Sequence, residues 1–188
     1  MPVPRQKKFP AHFDVSGSLY LSHIDISNQQ TEGNGGTIAM SAGAAGGRET
    51  IIEGSRFAGN QAAKGGALSI ETGRVTVSGT AFESNVAQQN GGAVYVQADG
   101  QLVVQGVTFI TNNAAQLGGA IFIETQTPGA PAAALTILQP VSFSGNIANS
   151  GEALFDLNTR SPFTNDEGDK AVPKDAVTAF PPVGHRRA

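Results

Sequence analysis

The chain has 188 residues and no cysteine, so it suits a single domain and excludes disulfides, thiolate metal sites and a cysteine nucleophile. Its net charge of −3 gives no electrostatic case for binding nucleic acid. No apolar run approaches the roughly 18 residues of a membrane span, and no cofactor or metal motif is present. We therefore expect no cofactor, no metal, no nucleic acid partner and no transmembrane segment.

The start of the chain reads as an extension followed by a weak repeat. Residues 1–13 contain basic side chains and prolines but lack the apolar stretch of a signal peptide. We expect residues 1–16 to form an N-terminal extension or cap. Residues 19–21, 26–28 and 35–38 then form a first copy of a pattern that recurs more strongly later. The missing Phe in this copy is typical of a degenerate terminal repeat.

Four strong copies follow, each combining a Phe-x-x-Asn motif with a glycine that precedes a small apolar strand. Their Phe residues lie 25, 27 and 34 residues apart, a period typical of solenoids. In the fourth copy, Glu152 replaces the second glycine. The repeated positions are Phe57, Asn60, Gly65 and Gly66, then Phe82, Asn85, Gly91 and Gly92, then Phe109, Asn112, Gly118 and Gly119, and finally Phe143, Asn146 and Gly151.

Each copy contains three short segments rich in Val and Ile, one before the Phe, one around it and one after the glycines. Such segments, separated by Gly and Asn, predict strands, and no apolar period of 3.6 residues is sustained. We expect an all-β, right-handed parallel β-helix over residues 17–157, with about five rungs and three short strands per rung. Insertions at residues 41–49 and 125–134 should leave from one corner. The polar, Pro-containing tail, residues 158–188, is predicted to be poorly ordered or loosely packed.

Equivalent side chains of a stacked solenoid form columns along its axis. We expect the four Phe rings to stack inside the coil and the four Asn amides to form a ladder at one corner. The first glycine of each pair should supply a positive φ at the next corner. These repeated residues are therefore predicted to be structural and not to bind a ligand.

The strand after the glycines offers a candidate binding surface. One parity carries aliphatic residues such as Val94 and Ile121, which we expect to face inward. The opposite parity then places Tyr95, Phe122 and Phe155 on the outside as an aromatic stripe. An exposed stripe of this kind could stack on sugar rings or dock a partner. The alternative is that the tail or a neighbouring domain covers it.

The ordered pairs of Gly-Gly-Ala-(Ile/Leu/Val) and Phe-x-x-Asn resemble the repeats of chlamydial polymorphic outer membrane proteins. The resemblance covers about residues 50–157. It implies an autotransporter passenger with a right-handed β-helix, used in adhesion to host cells. It also implies a place at the cell surface, in the outer membrane or outside the cell. The missing signal peptide is the pattern expected of a fragment.

We therefore expect a non-enzymatic, adhesin-like module that is exposed at the surface or secreted and binds host cells, glycans or protein partners. Two alternatives stay open. A polysaccharide-active enzyme of the pectin lyase type needs a pair of carboxylates, for which Glu71 and Glu124 are candidates two rungs apart, with Gln97 between them. A purely structural repeat could instead stack end to end on further copies through its open ends.

Overall fold

The computed structural model describes residues 12–41, 49–124, 134–151, 154–156 and 161–163. Within these ranges the protein is all-β without a helix, and its strands stack in parallel as a β-solenoid. This confirms the predicted fold class. The right-handed sense and the number of rungs stay predictions.

The described residues contain sixteen strands. In chain order they are β1 (Phe13–Val15), β2 (Leu19–Ser22), β3 (Asp25–Ser27), β4 (Ile38–Met40), β5 (Glu49–Glu53), β6 (Arg56–Ala58), β7 (Gln61–Ala62), β8 (Leu68–Ser78), β9 (Ala81–Glu83), β10 (Val86–Ala87), β11 (Val94–Ile110), β12 (Asn113–Ala114), β13 (Ile121–Ile123), β14 (Ala134–Ser144), β15 (Leu154–Asp156) and β16 (Ser161–Phe163).

Parallel pairing arranges these strands in three main columns. The first column contains β2, β5, the end of β8, the middle of β11 and the start of β14. The second contains β3, β6, β9 and the ends of β11 and β14. The third contains β1, β4, the starts of β8 and β11, β13 and β15. The short strands β7, β10 and β12 form a further column after the Asn corner.

Three strands are longer than the repeat pattern predicts. The third-column and first-column segments run together in β8, β11 also continues into the second column, and β14 joins the first and second columns. Register shifts between Val96 and Asp99 and between Gln105 and Val107 mark where β11 turns the corners. The chain therefore bends while remaining paired, which the sequence pattern of separate short strands does not reveal.

Paired strands occur in both terminal segments of the chain. Phe13 pairs in parallel with Ile38, so the stack begins within the segment expected to be an extension or cap. At the other end, β16 pairs antiparallel with β15 and so lies within the predicted tail. The rest of that tail lies outside the described residues. The insertions also lie outside them except at their edges, which flank one corner between the third and first columns.

The core is a single apolar cluster that runs along the axis. Its centre is a stack of the four repeated Phe rings, whose centroids are 5.2, 5.1 and 5.0 Å apart in chain order. Ile26 occupies the same column, in register with Phe57, in the first copy. The inward aliphatic side chains of the first and third columns complete the cluster.

The two glycines of each repeat meet different requirements. Gly91, a first glycine, has a φ of 67°, which a side chain rarely adopts. A Cβ on the second glycine, Gly92, would lie 2.0 Å from the carbonyl oxygen of Gly119 in the following turn. Close approach of successive backbones therefore demands the second glycine wherever another glycine turn follows. Glu152, which replaces this glycine in the fourth copy, lies outside the described residues.

Candidate binding surface

The aromatic residues of the third column stack on each other outside the core cluster. Tyr95 and Phe122 are in register, and their rings are 5.6 Å apart with planes at 3°. Neither belongs to the apolar cluster inside the coil, as their parity predicts. The backbone of Phe155 continues the column in register with Phe122.

The expectation that this stripe is exposed is wrong for Tyr95 and Phe122. Tyr95 is 1% exposed and Phe122 2% exposed, and Ser69 in the same column is 0% exposed. Lys64 contributes to the cover, since its Nζ lies 4.7 Å from the centre of the Tyr95 ring. Parity gives the direction of a side chain but not what the rest of the chain places over it. This pair is therefore a packed cluster and not an open ligand platform.

Charged groups surround the Tyr95 hydroxyl. The Lys64 ammonium donates to it at 3.1 Å. Burial raises the pKa of Tyr95 far above its ordinary value, and the hydrogen bond to Glu124 and the negative charges of Glu124 and Glu71 raise this pKa further. The neutral hydroxyl can donate to a carboxylate while it accepts from Lys64. The cluster thus uses both hydrogen-bonding capacities of the hydroxyl.

The two carboxylates proposed for the enzyme alternative both belong to this cluster. Glu71 and Glu124 directly follow Ile70 and Ile123, which lie in one column on either side of Val96. Their charges act on the Tyr95 hydroxyl. Both carboxylates therefore lie close enough to the Tyr95 hydroxyl to influence its ionisation.

The Asn ladder occupies the corner after the second column. Each Asn Nδ2 donates to the Oδ1 of the next, at 3.0, 2.9 and 2.9 Å along the chain. The backbone N–H donates to the same oxygen, at 3.0 to 3.1 Å. Each Nδ2 also donates to a carbonyl of the preceding turn. All four side chains are buried, so their hydrogen-bonding capacity serves the coil and not a ligand.

Sequence reasoning missed the position that continues this ladder in the first copy. Gln29, and not Asn28, stands there, because its backbone N–H donates to Asn60 Oδ1 at 3.0 Å. Asn28 instead has a φ of 55°. The register of Ile26 with Phe57 would have revealed this, since Gln29 follows Ile26 by the three residues that separate Phe57 from Asn60.

Sequence reasoning also missed an exposed ion-pair network on the second column. Arg56 Nη1 lies 3.2 Å from Asp25 Oδ2, and Arg56 Nη2 lies 2.6 Å from Glu83 Oε2. The hydrogen bonds to Glu83 are the largest cause of a raised Arg56 pKa. Opposite charges in successive copies were the available signal. Because the Arg56 side chain is 45% exposed, the network contributes little to stability but gives this face a defined charge pattern.

A polar ridge lies between the second column and the Asn ladder. Ser84 and Thr111 have φ values of 52° and 51°, and their hydroxyl oxygens are 2.8 Å apart. Gly59 and Gly145 adopt the same left-handed conformation at the equivalent positions. The backbone geometry of this corner is thus fixed, while the side chain placed on it is free to vary.

Exposed apolar side chains concentrate on the later turns of this side. Ile110, next to the ridge, is 37% exposed, and Ile147, in the column after the Asn corner, is 60% exposed. The equivalent positions in earlier turns carry Glu83 and Gln61. We define the recognition face as the outer surface formed by Arg56, Glu83, Ser84, Ile110, Thr111 and Ile147.

No group of three or more His, Cys, Asp or Glu side chains among the described residues has the spacing of a metal site. In the same part of the chain, no helix has the length and apolar character needed to cross a bilayer.

Comparison with known families identifies the repeat. Residues 79–97, which span the second Phe-x-x-Asn motif and the glycine strand after it, match the model of the Chlamydia polymorphic membrane protein repeat. This segment is similar to a polymorphic membrane protein repeat. The match runs from Gly79 to Gln97. It therefore covers the second-column strand β9, the Asn corner, the glycine corner and the start of β11 with Tyr95. No curated protein and no solved structure matches the chain.

Proposed function

We propose that this protein is a non-enzymatic, adhesin-like β-solenoid that acts at the cell surface or after secretion and binds cells, glycans or protein partners. The polymorphic membrane protein repeat on a parallel β-solenoid carries this proposal. The surface location and the adhesive role follow the family resemblance, and solenoids typically bind through extended faces.

The difference between repeated inner residues and varied outer residues supports a binding role. The inward Phe, Asn and Gly positions repeat because stacking fixes them. The residue that follows the ring in each turn varies instead, and is Ala58, Glu83, Ile110 or Ser144 in successive turns. A scaffold with a constant interior and a varied surface is suited to recognition.

We assign binding to the recognition face because apolar and charged groups lie side by side there. Ile110 and Ile147 provide exposed apolar area, while Arg56 and Glu83 provide charge. Binding interfaces commonly combine an apolar centre with a polar rim. The buried Tyr95 and Phe122 pair is not part of this proposed surface.

The test is binding of the purified full chain to cultured epithelial cells and to a glycan array. Ile147→Glu should reduce binding at least about tenfold, as expected for an interface anchor. Leu138→Glu is the matched control, because Leu138 is an apolar residue 43% exposed in the first column. A folded protein that binds neither cells nor glycans nor any protein partner would contradict the proposal. Loss of binding with Leu138→Glu alone would move the site to the first column.

The absence of enzymatic activity needs a separate assay. We expect no turnover of pectin, alginate or related glycans by the wild-type chain. Turnover that Glu71→Gln abolishes would replace the adhesin proposal with the enzyme alternative, because that variant removes one of the two candidate carboxylates.

A further inference from the structure

The two ends of the solenoid do not have the same shape. At the first end, β1, β2 and β3 lie at one level, since they pair with β4, β5 and β6 of the next turn. At the last end of the described residues, the first and second columns reach β14, whereas the third column continues with β15 and then β16. With strands about 4.8 Å apart, the third column extends two strands beyond β14.

This shape decides whether a second copy could continue the coil. A second copy would add by pairing its β2 and β3 along β14, as β14 itself pairs along β11. In that position its β1 would fall where β15 already lies, and its β4 would fall where β16 lies. Both overlaps would have to be removed before the strands could approach to pairing distance.

We propose that β1 and β16 are end plugs that stop the coil from stacking head to tail on a second copy. Without β1 and β16, β15 would take the place of β1 in the next copy, and the column pattern would continue unbroken. Removing one plug is insufficient, because the other still overlaps a strand of the second copy. Edge strands are a recognised route to unwanted pairing, so natural sheets block them.

The sequence of β16 fits a plug. β16 runs antiparallel to β15, whereas every other neighbour in the third column is parallel. Its central residue is Pro162, which pairs with Phe155. Proline has no N–H to donate, so this strand presents an outer edge that lacks its central donor.

The test uses full-length chains in which one plug or both are weakened. Phe13→Pro removes the N–H that donates to Thr37 O at 2.7 Å and so weakens β1. Phe163→Pro removes a donor from the strand that pairs with β15. The double variant should form oligomers whose average mass is about twofold or more that of wild type and grows with concentration, because head-to-tail contacts do not close. Sedimentation velocity measures this mass.

Wild type, each single variant and the Phe13→Ala/Phe163→Ala double variant should remain monomeric. The alanine variant is the matched control, because it removes the same side chains but keeps the backbone N–H groups of residues 13 and 163. Association of the wild type, of either single variant or of this control would overturn the proposal. So would a double proline variant that stays monomeric while its circular dichroism shows an intact β-fold. If the proline pair unfolds the chain, Phe13→Gly with Phe163→Gly decides by the same criteria, because glycine weakens strands without removing an amide.

Discussion

At the scale of single residues, Asn85 shows how the repeat meets the cost of a buried polar side chain. Its Oδ1 accepts from the N–H and the Nδ2 of Asn60, and its Nδ2 donates to Asn112 and to the Phe57 carbonyl. The side chain is 0% exposed. Every hydrogen-bonding capacity of this amide is used, and removal of the amide leaves buried partners on both neighbouring turns.

We therefore expect Asn85→Ala to lower the free energy of unfolding by about 3 kcal/mol or more, since several buried donors and acceptors lose their partner. Asn113→Ala is the control, because the Asn113 side chain is exposed and should change stability by less than about 0.5 kcal/mol. Urea unfolding measures both values. Equal effects of the two substitutions would show that the ladder does not stabilise the coil.

Thr111 carries local backbone strain on the polar ridge. Its φ of 51° is a conformation that costs a β-branched residue about 1 to 2 kcal/mol. Asn tolerates this region, so Thr111→Asn should raise the free energy of unfolding by about 0.5 to 1 kcal/mol. Thr136→Asn, on an extended strand of the first column, should lower it slightly instead. A loss of stability in Thr111→Asn would argue that the hydroxyl contact with Ser84 outweighs the strain.

At the scale of strands, the repeat spacing alone is enough to place the Phe and Asn columns. Equivalent residues must meet when each strand pairs with its copy, as Phe57, Phe82, Phe109 and Phe143 do. The exposure of Tyr95 could not be predicted in this way, because Lys64, which precedes the glycine corner of the turn before, lies over its ring. The continuous pairing along β11 could not be predicted from the sequence either, since it depends on the geometry of the corners and not on residue type.

The cluster around Tyr95 makes stability depend on pH. The folded state raises the pKa of Tyr95 above its unfolded value of about 10, so folding favours the neutral hydroxyl. This contribution is present below pH 10 and is lost as pH rises above that value, because only the unfolded chain then gains by ionising. The free energy of unfolding should fall by up to about 1.4 kcal/mol for each further pH unit.

Urea unfolding at pH 8 and pH 11 should show this loss in the wild type and a smaller loss in Tyr95→Phe. Since Phe cannot ionise, the difference between the two proteins isolates Tyr95 from the other titrating groups. The same pH-dependent loss in both proteins would contradict the assignment.

At the scale of the whole molecule, the columns are continuous through the middle turns and weaken toward the first. The first copy replaces the ring by Ile26 and the ladder residue by Gln29. The sequence predicted this weakness from the missing Phe. What it could not predict is that β1 and β16 extend the stack into the terminal segments, because no repeat motif marks either strand.

Because the Phe and Asn columns weaken toward the first turn, this turn should open locally more easily than the inner turns. Amides of β2 and β3 are expected to exchange hydrogen through local opening, while those of β8 and β11 should exchange at a higher free energy. Ile26→Phe would extend the ring stack onto Phe57 and should raise the opening free energy of β3 by about 0.5 to 1.5 kcal/mol. Ile51→Phe is the matched control, because Ile51 lies on the outer face of the first column. If hydrogen exchange showed equal protection gains for both substitutions, added apolar area and not ring stacking would explain the stability of the inner turns.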